Sequence, residues 1–263
     1  MRKTTAWAVL LALLSLFTAC SAPPSPSPTP SASTPVISGF LYADGQLTAI
    51  DDPENAEFWE SELETLAGFG LPALLGVWAE DWNGEFVLQL PATLAEFQTL
   101  TGHGEGAQGV TLCDSSTGEQ SIEAQARIYI NPEPLELTHA YAGPLLLHEL
   151  VHAASCSPQM KGPGWIKEGV AESITTEKYP DQSEPLLAVV KAYKQDNEVT
   201  ALPGESGYEN LALSWFAVQA AIKELGREPA YELLYKLADT STPSEERLSE
   251  LFGYYKRAFE LMS

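Results

Sequence analysis

The sequence reads as an α+β protein in which a small strand-bearing N-terminal half packs on a mainly helical C-terminal half. Two observations carry this. Runs with strand character, Glu85 to Leu90, Gly109 to Cys113 and Ala126 to Asn131, all fall in the first half of the chain. From Gly143 onward, apolar residues recur at helical spacing in segment after segment, most of them bounded by Pro or Gly.

The first residues are a targeting segment, set apart from the fold. Arg2 and Lys3 form a positive start, and Ala6 to Phe17 is an apolar run too short to span a bilayer. Phe17-Thr18-Ala19-Cys20 resembles a bacterial lipoprotein cleavage box, with Phe17 where leucine is usual. Residues 1–19 are therefore expected to be removed, Cys20 to be lipidated, and the protein to be exported and anchored to a bacterial membrane through that lipid alone. Ordinary secretion is the alternative. Residues 21–35 are Ser, Pro, Ala and Thr only, a composition that buries no core. At about 3.1 Å per residue they make a spacer of up to roughly 45 Å. Residues 36–263 are expected to form a single domain.

Formal net charge is −22, and loss of Arg2 and Lys3 with a leader that has no Asp or Glu takes it to −24. Such a surface repels phosphate backbones and anionic headgroups, which argues against nucleic-acid binding. Of three cysteines, Cys113 and Cys156 remain after Cys20. In an exporting compartment they are expected to pair, pinning the end of the helix that contains Cys156 to the Cys113 segment.

Taken in order, a strand is expected around Gly39 to Tyr42 with a turn at Asp44-Gly45. A helix follows over Pro53 to Ala67, capped by Asp52 and carrying Phe58, Trp59, Leu63 and Leu66 as a core stripe. Pro72 to Ala79 reads as a second apolar helix or turn; Trp78 and Trp82 are assigned to packing, with the lining of a cleft as the alternative. Beyond the strand at Glu85 to Leu90 come a short helix over Thr93 to Leu100 and a Gly-rich loop, with His103 exposed in it. The strand Arg127 to Ile130 precedes the next helix and is expected to lie beside the site and to pair with an extended substrate.

That next helix, from Gly143-Pro144 to Cys156 and ended by Ser157-Pro158, holds the most informative residues. His148-Glu149-Leu150-Val151-His152 puts two imidazoles four apart, on one helix face, with a carboxylate beside them. Two neutral imidazoles so presented suit a zinc ion, and the carboxylate is placed to take a proton from water. Two incidental histidines are the alternative, but the chain has only four, and two fall at this spacing around a glutamate. Because the imidazoles must be neutral to bind, affinity is expected to weaken as pH falls through about 6.

A catalytic zinc normally takes three protein ligands. The helix opened by Pro163-Gly164 offers Glu168 and Glu172, four apart, separated from His152 by fifteen and nineteen residues. Either interval is compatible with a ligand. The pattern H-E-x-x-H followed by W-x-x-E-G-x-A-E, here Trp165 to Glu172, resembles the gluzincin metallopeptidases, the thermolysin and aminopeptidase N group, above all their peptidase MA-like members. The resemblance covers roughly the second half of the chain. It implies a reduced thermolysin-like catalytic domain, with Glu168 as third zinc ligand and Glu172 supporting a ligating histidine. It also implies zinc-dependent hydrolysis of a peptide or protein substrate with Glu149 as general base. The family's oxyanion donor is a tyrosine or histidine; Tyr208 is the first candidate, then Tyr179 and His139. The rival expectation is a non-catalytic surface lipoprotein that uses the fold to bind a partner around a structural metal.

The remaining segments, Glu184 to Gln195, Tyr208 to Leu225, Pro229 to Leu237, Ser244 to Leu251 and a last one to Met262, read as helices.

Overall fold

The computed structural model describes residues 39–43, 46–49, 56–80, 82, 84–104, 106–113, 126–133, 141–156, 160–204, 207–240 and 242–262. The leader over 1–19, Cys20, the linker to 35, the Asp44-Gly45 turn, the Asp52 cap, His139 and Ser157-Pro158 lie outside the described residues.

Five strands form one sheet: β1 (Gly39–Ala43), β2 (Gln46–Ala49), β3 (Phe86–Gln89), β4 (Gly109–Cys113) and β5 (Ala126–Ile130). Their order is β2-β1-β3-β5-β4, with β3 and β5 parallel and the other pairs antiparallel. The helices are α1 (Ala56–Gly68), α2 (Leu71–Leu75), α3 (Leu94–Thr101), α4 (Ala142–Cys156), α5 (Gly164–Lys178), α6 (Ser183–Asp196), α7 (Tyr208–Leu225), α8 (Arg227–Ala238) and α9 (Glu245–Leu261). The architecture is thus α+β, with the sheet in the N-terminal half. Among the described residues no helix is long and apolar enough to cross a membrane.

Alternation along the strands sorts the sheet into two faces. Leu88, Ile128 and Ile130 belong to the main core, which runs from Trp59 on α1 to Phe259 on α9, and β5 packs there on α4. Val110 and Tyr129 face the other way and pack with Phe97 of α3. Thr93 caps α3 by accepting a bond from the Glu96 amide, and Gly102 closes it in the left-handed conformation, φ 73°.

Three expectations change. β5 pairs with β3 on one side and β4 on the other, so neither of its edges is open to a substrate; among the described residues β2 and β4 are the edge strands, and β4 is the one next to β5. The last two helical segments form one helix, α9, because Leu251, Tyr255 and Phe259 recur four apart along a buried stripe and hold it together past Gly253. α4 begins at Ala142, which makes Pro144 its third residue. Proline fits there because the first four amides of a helix have no internal acceptor.

The candidate tryptophans pack as expected. Trp78 is buried edge-on to Tyr235, ring centres 5.8 Å apart, and Trp82 tilts over Phe86.

Candidate metal centre

α4 is apolar on nearly every side and buried along all but one of its residues, so His148, Glu149 and His152 are carried into the core. α5 packs between α4 and α7. Its Gly169 allows this: a Cβ there would lie 2.5 Å from the Ser214 carbonyl oxygen of α7. With the helices this close, Glu168 and Glu172 are buried against α4.

The donor atoms converge. His148 Nε2 and His152 Nε2 are 3.0 Å apart, and Glu168 Oε2 lies 3.4 Å from the first and 3.5 Å from the second. Glu172 takes a different place, its Oε1 lying 3.2 Å from His148 Nδ1. A proton on Nδ1 donated to Glu172 leaves Nε2 with its lone pair turned to the other donors. Glu168 thus meets both histidines within the donor group, and Glu172 meets one of them from outside it.

His148, His152 and Glu168 form a buried group that can hold a metal ion. The distances fit a small cation. A tetrahedron with metal-to-ligand bonds of about 2.0–2.1 Å has edges of about 3.3–3.4 Å, close to the three measured here.

Electrostatics point the same way. Burial opposes a charge on His148, yet Glu168 and Glu172 outweigh it and raise its pKa to about 9. Burial likewise pushes the Glu168 carboxyl up, but His152 and His148 overcome this and hold it well below the usual carboxylate range. Carboxylates thus gather positive charge at the imidazoles, a role a bound cation takes over. A proton therefore competes for His148 from a higher pH than the value of 6 expected for free imidazoles.

Glu149 is wholly buried, and burial raises its pKa, partly offset by His152, His148 and the Thr111 hydroxyl. Thr111 Oγ1 lies 2.6 Å from Glu149 Oε2 and 3.1 Å from the Glu149 carbonyl oxygen. The other carboxylate oxygen, Oε1, is buried without a hydrogen-bond partner among the described residues. It sits against Gly109, where a Cβ would be only 2.7 Å away.

Tyr208 opens α7 and is buried, its hydroxyl without a hydrogen-bond partner among the described residues. Burial and then the charge of Glu172 raise its pKa, so the phenol stays protonated. Tyr179 is elsewhere, its hydroxyl 2.5 Å from where a Cβ on Gly143 would be, at the opening turn of α4 and near Glu62. His103 is half-buried and outside the donor group. Cys113 and Cys156 are bonded, with Cα atoms 5.1 Å apart, a link that an oxidising compartment sustains.

Thr111 and Gly109 are the site residues that sequence reasoning missed. A signal for them existed. If Cys113 is tied to Cys156, strand alternation puts Thr111 and Gly109 on the face of β4 turned to α4; that the strand runs back along α4 toward Glu149 is decided by packing. No protein-family model, curated protein or solved structure matches the chain, so the reading of this site rests on its own geometry.

Proposed function

We propose that the protein hydrolyses peptide bonds as a zinc metallopeptidase of the gluzincin kind, on a reduced thermolysin-like catalytic domain. His148, His152 and Glu168 would hold the zinc and Glu172 would orient His148. A divalent cation held there supplies Lewis acidity, polarising a carbonyl and making water a nucleophile at neutral pH. Glu149 Oε1 takes the proton of the attacking water and passes it to the leaving amine. The protonated hydroxyl of Tyr208 serves as donor to the oxyanion.

The observation that carries this reading is the Oε1 of Glu149, buried beside the His-His-Glu group without a hydrogen-bond partner among the described residues. An unpaired buried carboxylate oxygen is expensive, and a closed structural metal site has no use for it. A general base needs such an oxygen.

The sheet favours a peptide as substrate. The Asn131 amide donates to the Gln108 carbonyl at 2.8 Å, and these residues continue the β4–β5 register, so they are a hydrogen-bonded pair. Alternation then turns the amides and carbonyls of Gly109, Thr111 and Cys113 away from β5, to the edge. An extended peptide can add there as a further strand, next to Glu149.

Glu149→Gln tests the reading. It is expected to lower hydrolysis of peptides by about 10²–10⁴-fold while zinc content stays at that of wild type. Zinc lost from this variant would make Glu149 a ligand. A wild-type protein that holds zinc and cleaves no peptide would favour the structural-metal alternative.

A further inference from the structure

We propose that the edge strand β4 aims the carboxylate of Glu149, with Thr111 as its positioning residue and Gly109 as the gap that receives it. This rests on the reading of Glu149 as general base. Gly109, Thr111 and Cys113 alternate along one face of β4, and each meets α4: the first two at Glu149, the third at Cys156. Glu149 and Cys156 are two helical turns apart, about 10.5 Å along the axis. The strand covers about 13 Å from Cys113 to Gly109, so Thr111 and Gly109 bracket the glutamate.

Within this seam the carboxylate has little freedom. Among the described residues Thr111 is its hydrogen-bond partner, engaging Oε2 at 2.6 Å and leaving Oε1 as the one oxygen able to take a proton. The hydroxyl has one proton and two acceptors on the same residue, Oε2 and the backbone oxygen at 3.1 Å. When Oε2 no longer needs the bond, the hydroxyl can turn to the carbonyl without being orphaned. Gly109 works by absence. A Cβ there would stand 2.7 Å from Oε1 and 3.0 Å from Cδ and Cγ, driving the carboxylate from its seat. Because the backbone of these same residues faces the edge left unpaired among the described residues, a peptide pairing with β4 docks on the strand that aims the base.

Thr111→Val removes the hydroxyl at nearly constant volume, Thr111→Ser keeps it, and Gly109→Ala keeps it while crowding the carboxylate. The probe is an internally quenched peptide cleaved by the wild-type protein. T111V and G109A are expected to lower kcat about 10–100-fold, with zinc content at the wild-type level. KM should stay within about two-fold, and T111S should recover most of the rate. Crystal structures of the zinc-loaded T111V and G109A variants should show the Glu149 carboxylate turned from its wild-type position. Wild-type kcat in both variants, an unmoved carboxylate, or a T111S rate as low as that of T111V would overturn the proposal. If the wild-type protein cleaves no peptide, the functional reading fails while the two crystal structures still decide whether β4 sets the carboxylate. Should T111V fail to fold, G109A and T111S decide alone.

Discussion

The two helices that supply the donors, α4 and α5, are both fifteen residues long and largely buried, and they are held in opposite ways. α4 is wedged by apolar side chains between the sheet and its neighbouring helices. Its polar side chains are His148, Glu149, His152 and Ser155, the last bonded to its own helix at Val151. α5 is anchored by polar groups in the turns beyond the donors. There Gln219 donates to Ser173 at 2.8 Å, Ser173 lies 3.0 Å from the Tyr231 hydroxyl, and Tyr231 donates to Glu177 at 2.9 Å. Trp215 donates to Thr176 at 3.0 Å, and Arg227 pairs with Glu177. The difference shows how one centre combines two kinds of support. The polar groups of α4 are met one by one from other elements, Glu149 by Thr111 and His148 by Glu172, whereas α5 is fixed by a connected set of hydrogen bonds that specify its rotation.

The sharpest way to break this arrangement is to remove the carboxylates of α5 one at a time. Glu168→Ala takes away the oxygen that meets both Nε2 atoms and should abolish activity and most zinc affinity, read by competition with a chelator. Glu172→Ala removes only the partner of His148 Nδ1 and should cost about 10–100-fold. The reverse order would make Glu172 the ligand.

The α4 side can be probed by pH. With the His148 pKa raised to about 9 by its carboxylate neighbours, protons compete with zinc below that value. The apparent dissociation constant should therefore weaken about tenfold per pH unit below 9 and level off above it. The sign reverses for the metal-free protein. A pKa raised from 6.5 adds stability in full below about 6.5, which is lost as pH rises through about 9. Affinity that stays flat down to pH 6.5 would mean that the carboxylates do not hold a proton on His148.

The smallest test makes one substitution in both helices. A Cβ at Gly169 meets the Ser214 backbone at 2.5 Å, whereas at Gly143 it meets the hydroxyl at the tip of Tyr179, also at 2.5 Å. Backbone cannot give way as a side chain does. Gly169→Ala should lose about 1–3 kcal/mol in urea unfolding despite the better helix propensity of alanine, and Gly143→Ala should lose less. Equal losses would show that α5 is no more tightly seated than α4.

These helices also mark how far the sequence could be read. His148, Glu149 and His152 are legible because a helix converts a spacing of four into a shared face, and that rule is local. The strands Gly109–Cys113 and Ala126–Ile130 and the helix Tyr208–Leu225 are legible for the same reason, since periodicity and Pro or Gly boundaries act within a few residues. β2 is not legible, because Gln46-Leu47-Thr48-Ala49 offers one large apolar residue, whereas β3, equally short, is Phe86-Val87-Leu88-Gln89. Strand order lies beyond local rules, so the strand expected to meet a substrate, β5, is interior, and β4 beside it holds one edge of the sheet among the described residues. The same holds for the division of labour between Glu168 and Glu172, which differ by one helical turn and are told apart by the rotation and approach of α5 at Gly169. By itself the sequence determined most of the elements and which two imidazoles and carboxylate share a face. Only the tertiary structure decided which carboxylate reaches both histidines and which strand holds Glu149, because contacts between distant segments depend on how whole elements pack.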